Sequence, residues 1–276
     1  MLPPLQVHHF LRSRFHVLGR AIRVWLPRDH ALHPQRRYPV VYLQDGQHVF
    51  ASSDPRARQS WNADTTAQRL IDAGKLAPLM LVAVDNAGLH RVDDYTSQAW
   101  RGRGGHAEDF GRMLVDEIKP FVDAHYPTRP ERTATALVGA SLGGLFALHL
   151  ALARPDVFGG VAALSPTTWW ANGALLRVLA ALPAHLPVRI WIDAGKREAP
   201  PLRQGVRAVA ELLLAKGWQK HRIAARGDLR HLEVPRGRHD ELAWGRRLDR
   251  VLQFLFPPPR KTRRGSKSRR GAALTG

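Results

Sequence analysis

Residues 137–146 read Leu-Val-Gly-Ala-Ser-Leu-Gly-Gly-Leu-Phe: an apolar approach, the pattern Gly139-x-Ser141-x-Gly143, then a run that stays largely apolar to Ala153 before Arg154-Pro155. A strand that enters a helix through so short a turn leaves no room for side chains beside the serine. Glycine on either side relieves the clash and leaves the hydroxyl exposed at the helix N-terminus. Glycines here would also serve plain close packing of a helix on a sheet. The pattern therefore gains its meaning from the strand before it and the buried helix after it.

Working outward, short apolar, β-branched runs at 21–26, 39–43, 79–84, 134–138, 160–164 and 188–192 predict strands. Helical periodicity lies between most of them. Residues 106–126 place Phe110, Leu114, Ile118, Phe121, Val122 and His125 at three- and four-residue steps, with Glu108 and Asp109 at the positive end and Pro120 predicted to kink the helix. Residues 202–216 and 241–256 are predicted helices too, the second turning Leu248, Val251, Leu252 and Leu255 inward. Strands alternating with helices imply an α/β fold with a mostly parallel central sheet and helices on both faces. Residues 10–26 predict a leading antiparallel hairpin turning near Gly19, and no period of a repeat protein occurs.

The chain has 276 residues and no cysteine, so disulfide scaffolds and cysteine metal sites are excluded. With 44% hydrophobic and 24% charged residues it has globular composition, and no apolar run reaches the roughly 18 residues of a membrane span. Residues 1–10 lack a basic, then apolar leader, so a cytoplasmic protein without membrane contact is expected. One domain is expected over 1–256, followed by a basic, disordered tail over 257–276 beginning Pro257-Pro258-Pro259. That tail carries seven Lys and Arg and no acid, leaving +12 of the +19 net charge on the rest. The arginines are dispersed and no nucleic-acid-binding motif appears, so nucleic acid is expected to bind at most nonspecifically, through the tail.

A serine nucleophile needs a base, and the order serine, acid, histidine points to His239, on a turn between a strand ending at Val234 and the last helix. For the acid, the strand 190–192 leads into Asp193-Ala-Gly-Lys-Arg-Glu198. Glu198, on the loop past Gly195, is favoured on position; Asp193, nearer the strand, is the alternative. An oxyanion hole takes one backbone N–H from Leu142 and a second from the turn after Tyr42-Leu-Gln-Asp45-Gly46-Gln47, where Gln47 is the candidate donor. Gly46 would let that backbone approach a substrate, although an ordinary Asp-Gly turn reads the same way. Trp169 and Trp170 could stack on a flat substrate or pack at a rim. Arg101-Gly-Arg-Gly-Gly105 follows no strand and lacks a phosphate-loop ending, so it is expected to be a flexible loop near the site mouth. No metal and no cofactor is expected.

At these residues the chain resembles the putative-esterase family of α/β-hydrolases, which includes esterase D-like enzymes, trilactone siderophore esterases, feruloyl esterases and mycolyltransferases. The resemblance runs from Phe10 to Phe256. It rests on Arg37-Tyr-Pro-Val-Val-Tyr-Leu-Gln-Asp-Gly-Gln47, Val84-Asp-Asn86 with Arg91 and Asp94-Tyr-Thr96, Glu108-Asp-Phe110, Glu117-Ile-Lys-Pro-Phe121, Val138-Gly-Ala-Ser-Leu-Gly-Gly144, Leu164-Ser-Pro166 with Trp169-Trp170, Gly195-Lys-Arg-Glu198, and His239-Asp240 with Trp244. It implies the α/β-hydrolase fold, Ser141 as nucleophile and His239 as base. The siderophore-esterase branch often has glutamate after the glycine turn, which implies Glu198. His48 stands where the family usually has asparagine and Ala140 where it has histidine or serine, so the substrate of no single relative carries over. The expectation is a serine carboxylic-ester hydrolase acting through an acyl-enzyme on small-molecule esters, of siderophore type or otherwise anionic or aromatic. Acyl transfer by the same residues, or a catalytically weak binding protein of this fold, is the alternative. The sequence fixes no oligomeric state.

Overall fold

The structure is a computed structural model that describes residues 5–10, 12–16, 18–51, 59–222 and 227–257. Eight strands form one sheet: β1 Gln6–Phe10, β2 Arg20–Trp25, β3 Val40–Gln44, β4 Met80–Val84, β5 Thr135–Ala140, β6 Gly160–Leu164, β7 Arg189–Gly195 and β8 Leu229–Val234. Their order is β1-β2-β4-β3-β5-β6-β7-β8. β1 pairs antiparallel with β2, and β2 antiparallel with β4; every later pairing is parallel. This is the α/β-hydrolase architecture expected from the sequence.

The helices are α1 Ala63–Asp72, α2 Arg91–Tyr95, α3 Ala107–Met113, α4 Lys119–His125, α5 Leu142–Ala153, α6 Trp170–Ala181, α7 Pro200–Ala215, α8 Glu241–Gly245 and α9 Leu248–Leu255. Successive strand residues point to opposite faces, and here both faces are apolar. Val40 and Tyr42 of β3 join the core beneath α3 to α7, whereas Val41 and Leu43 join the core beneath α1, α8 and α9. Every residue of β3, β4, β5 and β6 is buried. That is why these strands read as continuous apolar runs without alternation. α5 sits in the middle of the first core, where Phe146 is stacked on Tyr95 and packed on Phe110 at ring distances of 5.4 and 5.0 Å.

Three local expectations change. The hairpin does not turn tightly at Gly19: Phe10 is already paired with Arg20, so nine residues separate the two strands. Among its described residues, His16 folds inward and sets Nε2 2.7 Å from Asp94 Oδ1, an aspartate that Arg20 also pairs. Pro120 acts through a π turn over Leu114–Ile118, in which the Lys119 N–H reaches the Leu114 carbonyl. The wider turn accommodates a residue that has no N–H to give. The predicted helix 241–256 is two, α8 and α9, parted at Arg246 and Arg247. The break follows Gly245, a weak helix former whose absent side chain leaves space for the backbone of Trp61. Residues 258–276, nearly all of the basic tail, lie outside the described residues. Among the described residues no helix is long and apolar enough to cross a membrane.

Phe146 is fully buried, so Phe146→Ala should destabilise the protein by about 3–5 kcal/mol. Urea denaturation followed by circular dichroism measures this as a lowered midpoint.

Candidate active site

The turn between β5 and α5 holds Ser141 at φ 57° and ψ −123°, a conformation that non-glycine residues rarely adopt. Its surroundings enforce it. A Cβ at Gly139 would lie 2.1 Å from the Gly143 carbonyl oxygen, and one at Gly143 would lie 2.9 Å from the Asp45 carboxylate. The Ser141 N–H donates to the Leu164 carbonyl at 2.9 Å, and its own carbonyl accepts the Thr167 N–H at 3.1 Å. The serine is thus tied to the end of β6 as well as to its own strand. Its Oγ faces Thr167 Oγ1 at 3.3 Å and His239 Nε2 at 2.9 Å.

His239 comes from the turn after β8, one residue before Asp240, whose carboxylate caps α8 by accepting the Ala243 N–H at 2.7 Å. The turn lies directly on the loop that follows β7, and glycine at both points allows this. A Cβ at Gly195 would be 2.4 Å from the Gly237 backbone, and one at Gly237 would be 2.7 Å from Gly195 Cα. The approach brings Glu198 Oε2 to 3.4 Å from His239 Nδ1. The Glu198 side chain is 1% exposed and that of His239 39%, so the carboxylate is sealed below a ring that meets solvent.

Glu198 Oε1 accepts bonds from Ser165 Oγ at 2.6 Å and the Gly195 N–H at 3.0 Å, with the Arg247 guanidinium at 3.4 Å. Burial pushes its carboxyl up, but the hydrogen bonds from His239, Ser165 and Gly195 outweigh it and hold the group below its ordinary value. Asp193 is placed differently. It lies fully buried, bonded to the Arg247 guanidinium and at 2.8 Å to the Trp191 indole N–H. Burial raises its pKa despite these partners. Of the two acids considered from sequence, Glu198 meets the histidine and Asp193 meets the arginine.

Leu142 is the first residue of α5, where a helix N–H has no partner within the helix. Gln47 lies in the short helical turn Gly46–His48 after β3, with its side-chain oxygen accepting the Asn86 N–H at 3.0 Å. Gly46 has a packing role. A Cβ there would lie 2.6 Å from the Asp85 carboxylate and 2.8 Å from the β4 backbone, so the missing side chain makes room for the neighbouring strand. Above Ser141 and His239 is an open cavity of about 300 Å³, also lined by His48, Trp61, Arg91 and Trp244. Trp169 and Trp170 do not line it. They join Trp100 in a partly exposed cluster, with Trp100 ring centroids 6.0 and 5.4 Å away, and the Trp170 N–H bonds the Gln98 carbonyl. The glycine-rich loop 101–105 is tied down beside them, its Gly104 and Gly105 N–H groups donating to Asp93 and Thr96.

Several residues at this site have no distinct role in the sequence reading. Ser165, at φ 47°, receives the Trp244 indole N–H and the Arg247 guanidinium while donating to Glu198. Arg247 is 4% exposed and bridges both buried acids. Arg91 clasps Asp45 through two bonds of 2.6 and 2.8 Å, and Asn86 bonds the same carboxylate. Ser165, Arg91 and Trp244 fall within the motifs of the family resemblance, but Arg247 stands out by nothing in its local sequence.

The family described as Putative esterase matches residues 18–255. An endo-1,4-beta-xylanase/feruloyl esterase of Xylanibacter ruminicola is 29% identical over 231 residues, covering 80% of this chain and 27% of that protein. An iron(III) enterobactin esterase of Escherichia coli K12 is 28% identical over 249 residues, covering 87% and 55%. The chain thus spans between about a quarter and a little over half of these two relatives. Among solved structures, the enterobactin esterase from Shigella flexneri in the presence of enterobactin superposes with a TM-score of 0.72 at 24% identity, over 91% of this chain and 57% of that one.

Glu198 should link stability to acid. With its pKa depressed in the folded state, its contribution is fully present above the unfolded value near 4.5 and is lost as pH falls through the lower folded value. The stability gap between the wild type and Glu198→Gln, measured by urea titration, should therefore be widest near neutrality and shrink below pH 4.5. Arg247→Ala leaves two buried carboxylates without their cation and should cost about 3–5 kcal/mol in the same assay.

Proposed function

The chain belongs to the Putative esterase family, and from that membership we propose that it hydrolyses carboxylic esters with Ser141, His239 and Glu198 as its catalytic residues. The observation that carries the reading is the 2.9 Å contact between His239 Nε2 and Ser141 Oγ, with the serine held on a strained strand-to-helix turn. His239 Nε2 takes the hydroxyl proton as Oγ attacks the acyl carbonyl. It returns that proton to the alkoxide oxygen as the C–O bond breaks, leaving the acyl group on Ser141. Water then repeats the exchange: its proton passes to His239, its oxygen attacks the acyl carbon, and the acid leaves as Ser141 recovers its proton. Glu198 keeps the Nδ1 proton of His239 in place and stabilises the ring when it is charged. The N–H groups of Leu142 and Gln47 receive the oxyanion.

The proposed substrates are small esters with an aromatic, anionic acyl part, of which siderophore-type esters are one class. Trp61 and Trp244, with ring centroids 6.1 Å apart, give the cavity an aromatic wall. Arg91, ion-paired with Asp45, stands at its edge. A cavity of about 300 Å³ suits one aryl-acyl arm better than a whole macrocyclic ester. The general positive charge of the chain favours approach of anions.

Hydrolysis of p-nitrophenyl acetate and butyrate, with fluorophosphonate labelling beside it, tests the reading. Ser141→Ala should lose labelling and lower kcat/KM by roughly a thousandfold or more, and Glu198→Gln should cost about 10- to 10⁴-fold. Labelling that persists in Ser141→Ala would refute the assignment of the nucleophile. Trp61→Ala should raise KM about tenfold for an aryl-acyl ester while leaving kcat for the acetate unchanged.

A further inference from the structure

A second cleft, of about 370 Å³, lies along β8 and the turn that follows it, between them and the helices α8 and α9. It shares no lining residue with the cavity over Ser141. Its walls have two characters. Trp191, Leu232 and Val234 supply apolar surface, and Arg236, Arg246 and Arg250 stand around it. None of these three arginines forms an ion pair with a described residue. Of the carboxylates on the neighbouring elements, Glu233 pairs with Arg207, Asp240 caps α8, Asp193 is held by Arg247, and Asp249 accepts the backbone N–H of Arg250. A neighbouring hollow that shares Trp191 and Arg250 adds Arg230 and His221, so the positive lining continues along the edge of the sheet.

Arg247, 4% exposed, also lines the cleft. Both of its terminal nitrogens are committed, to Asp193 and Ser165 and to Glu198 and the Arg238 carbonyl, but its buried Nε–H has no acceptor among the described residues. A buried donor without a partner is costly, and an acceptor arriving from a ligand would recover that cost. Guanidinium groups around an apolar wall match an anion that carries its own apolar body. The side chains of the chain's own residues 257–276 include seven Lys and Arg and no acid, which sets that segment against the cleft's arginines as occupant.

We infer that this cleft binds an amphipathic carboxylate, with an aryl or short acyl body against Trp191, Leu232 and Val234 and its carboxylate between Arg246, Arg250 and Arg247. The site is separate from the proposed ester pocket and does not depend on what that pocket does.

Calorimetric titration of the full chain with 4-phenylbutyrate, and with its uncharged amide, tests the site. The carboxylate should bind one to one and the amide at least tenfold more weakly. Arg246 and Arg250 are exposed, so the double variant Arg246→Ala/Arg250→Ala should keep its fold and lose tenfold or more in affinity. Trp61→Ala should bind like the wild type. Unchanged affinity in the double variant overturns the proposal, as does loss of binding in Trp61→Ala, which would put the ligand over Ser141. No binding of phenylbutyrate overturns it too; if a single-stranded DNA 20-mer then binds through the same two arginines, the face is a polyanion surface.

Discussion

The buried guanidinium of Arg247 is the contact on which the arrangement at the C-terminal edge of the sheet depends. Asp193 at the end of β7 and Glu198 five residues later are both withdrawn from water, and two carboxylates so placed would repel each other and carry a large desolvation cost. Arg247 joins them and binds Ser165 at the end of β6. One cation, just before α9, thereby ties together two strand ends and the loop that carries Glu198. It sits in the break between α8 and α9 that follows Gly245, with its side chain turned inward to the carboxylates.

The geometry above Arg247 follows from close backbone approach. Gly195 and Gly237 let the two loops touch, which sets Glu198 under His239. Gly139 and Gly143 let α5 start directly from β5, which lifts Ser141 towards the same histidine. Packing at Gly139, Gly195 and Gly237 is backbone against backbone, so it cannot relax by moving a side chain. The strain at Ser141 is held by its bonds to Leu164 and Thr167. The proposed catalytic groups are therefore fixed by the frame before any substrate arrives, as a site that stabilises developing charge requires.

Much of this was legible in the residues. Apolar runs such as 79–84 and 160–164 gave strands within a residue of their observed bounds, because strands buried on both faces must be continuously apolar. The glycine-serine-glycine turn located Ser141, and chain order located His239. Other features lay beyond sequence reading. The π turn before Pro120 depends on how a helix accommodates a missing donor. The packing role of Gly46 depends on where β4 runs, and the cluster of Trp169 and Trp170 with Trp100 depends on a loop some seventy residues away.

The sequence by itself determined the alternation of strands and helices and the glycine-flanked serine turn, because periodicity and local steric demand are properties of neighbouring residues. Only the tertiary structure distinguishes the surroundings of Glu198 from those of Asp193, which are equally acidic and lie on the same stretch of chain. They are separated by what they meet, His239 in one case and Arg247 in the other, and both of those partners come from segments more than forty residues further along. Charge pairing across such distances is set by the course of the backbone, which no local pattern encodes.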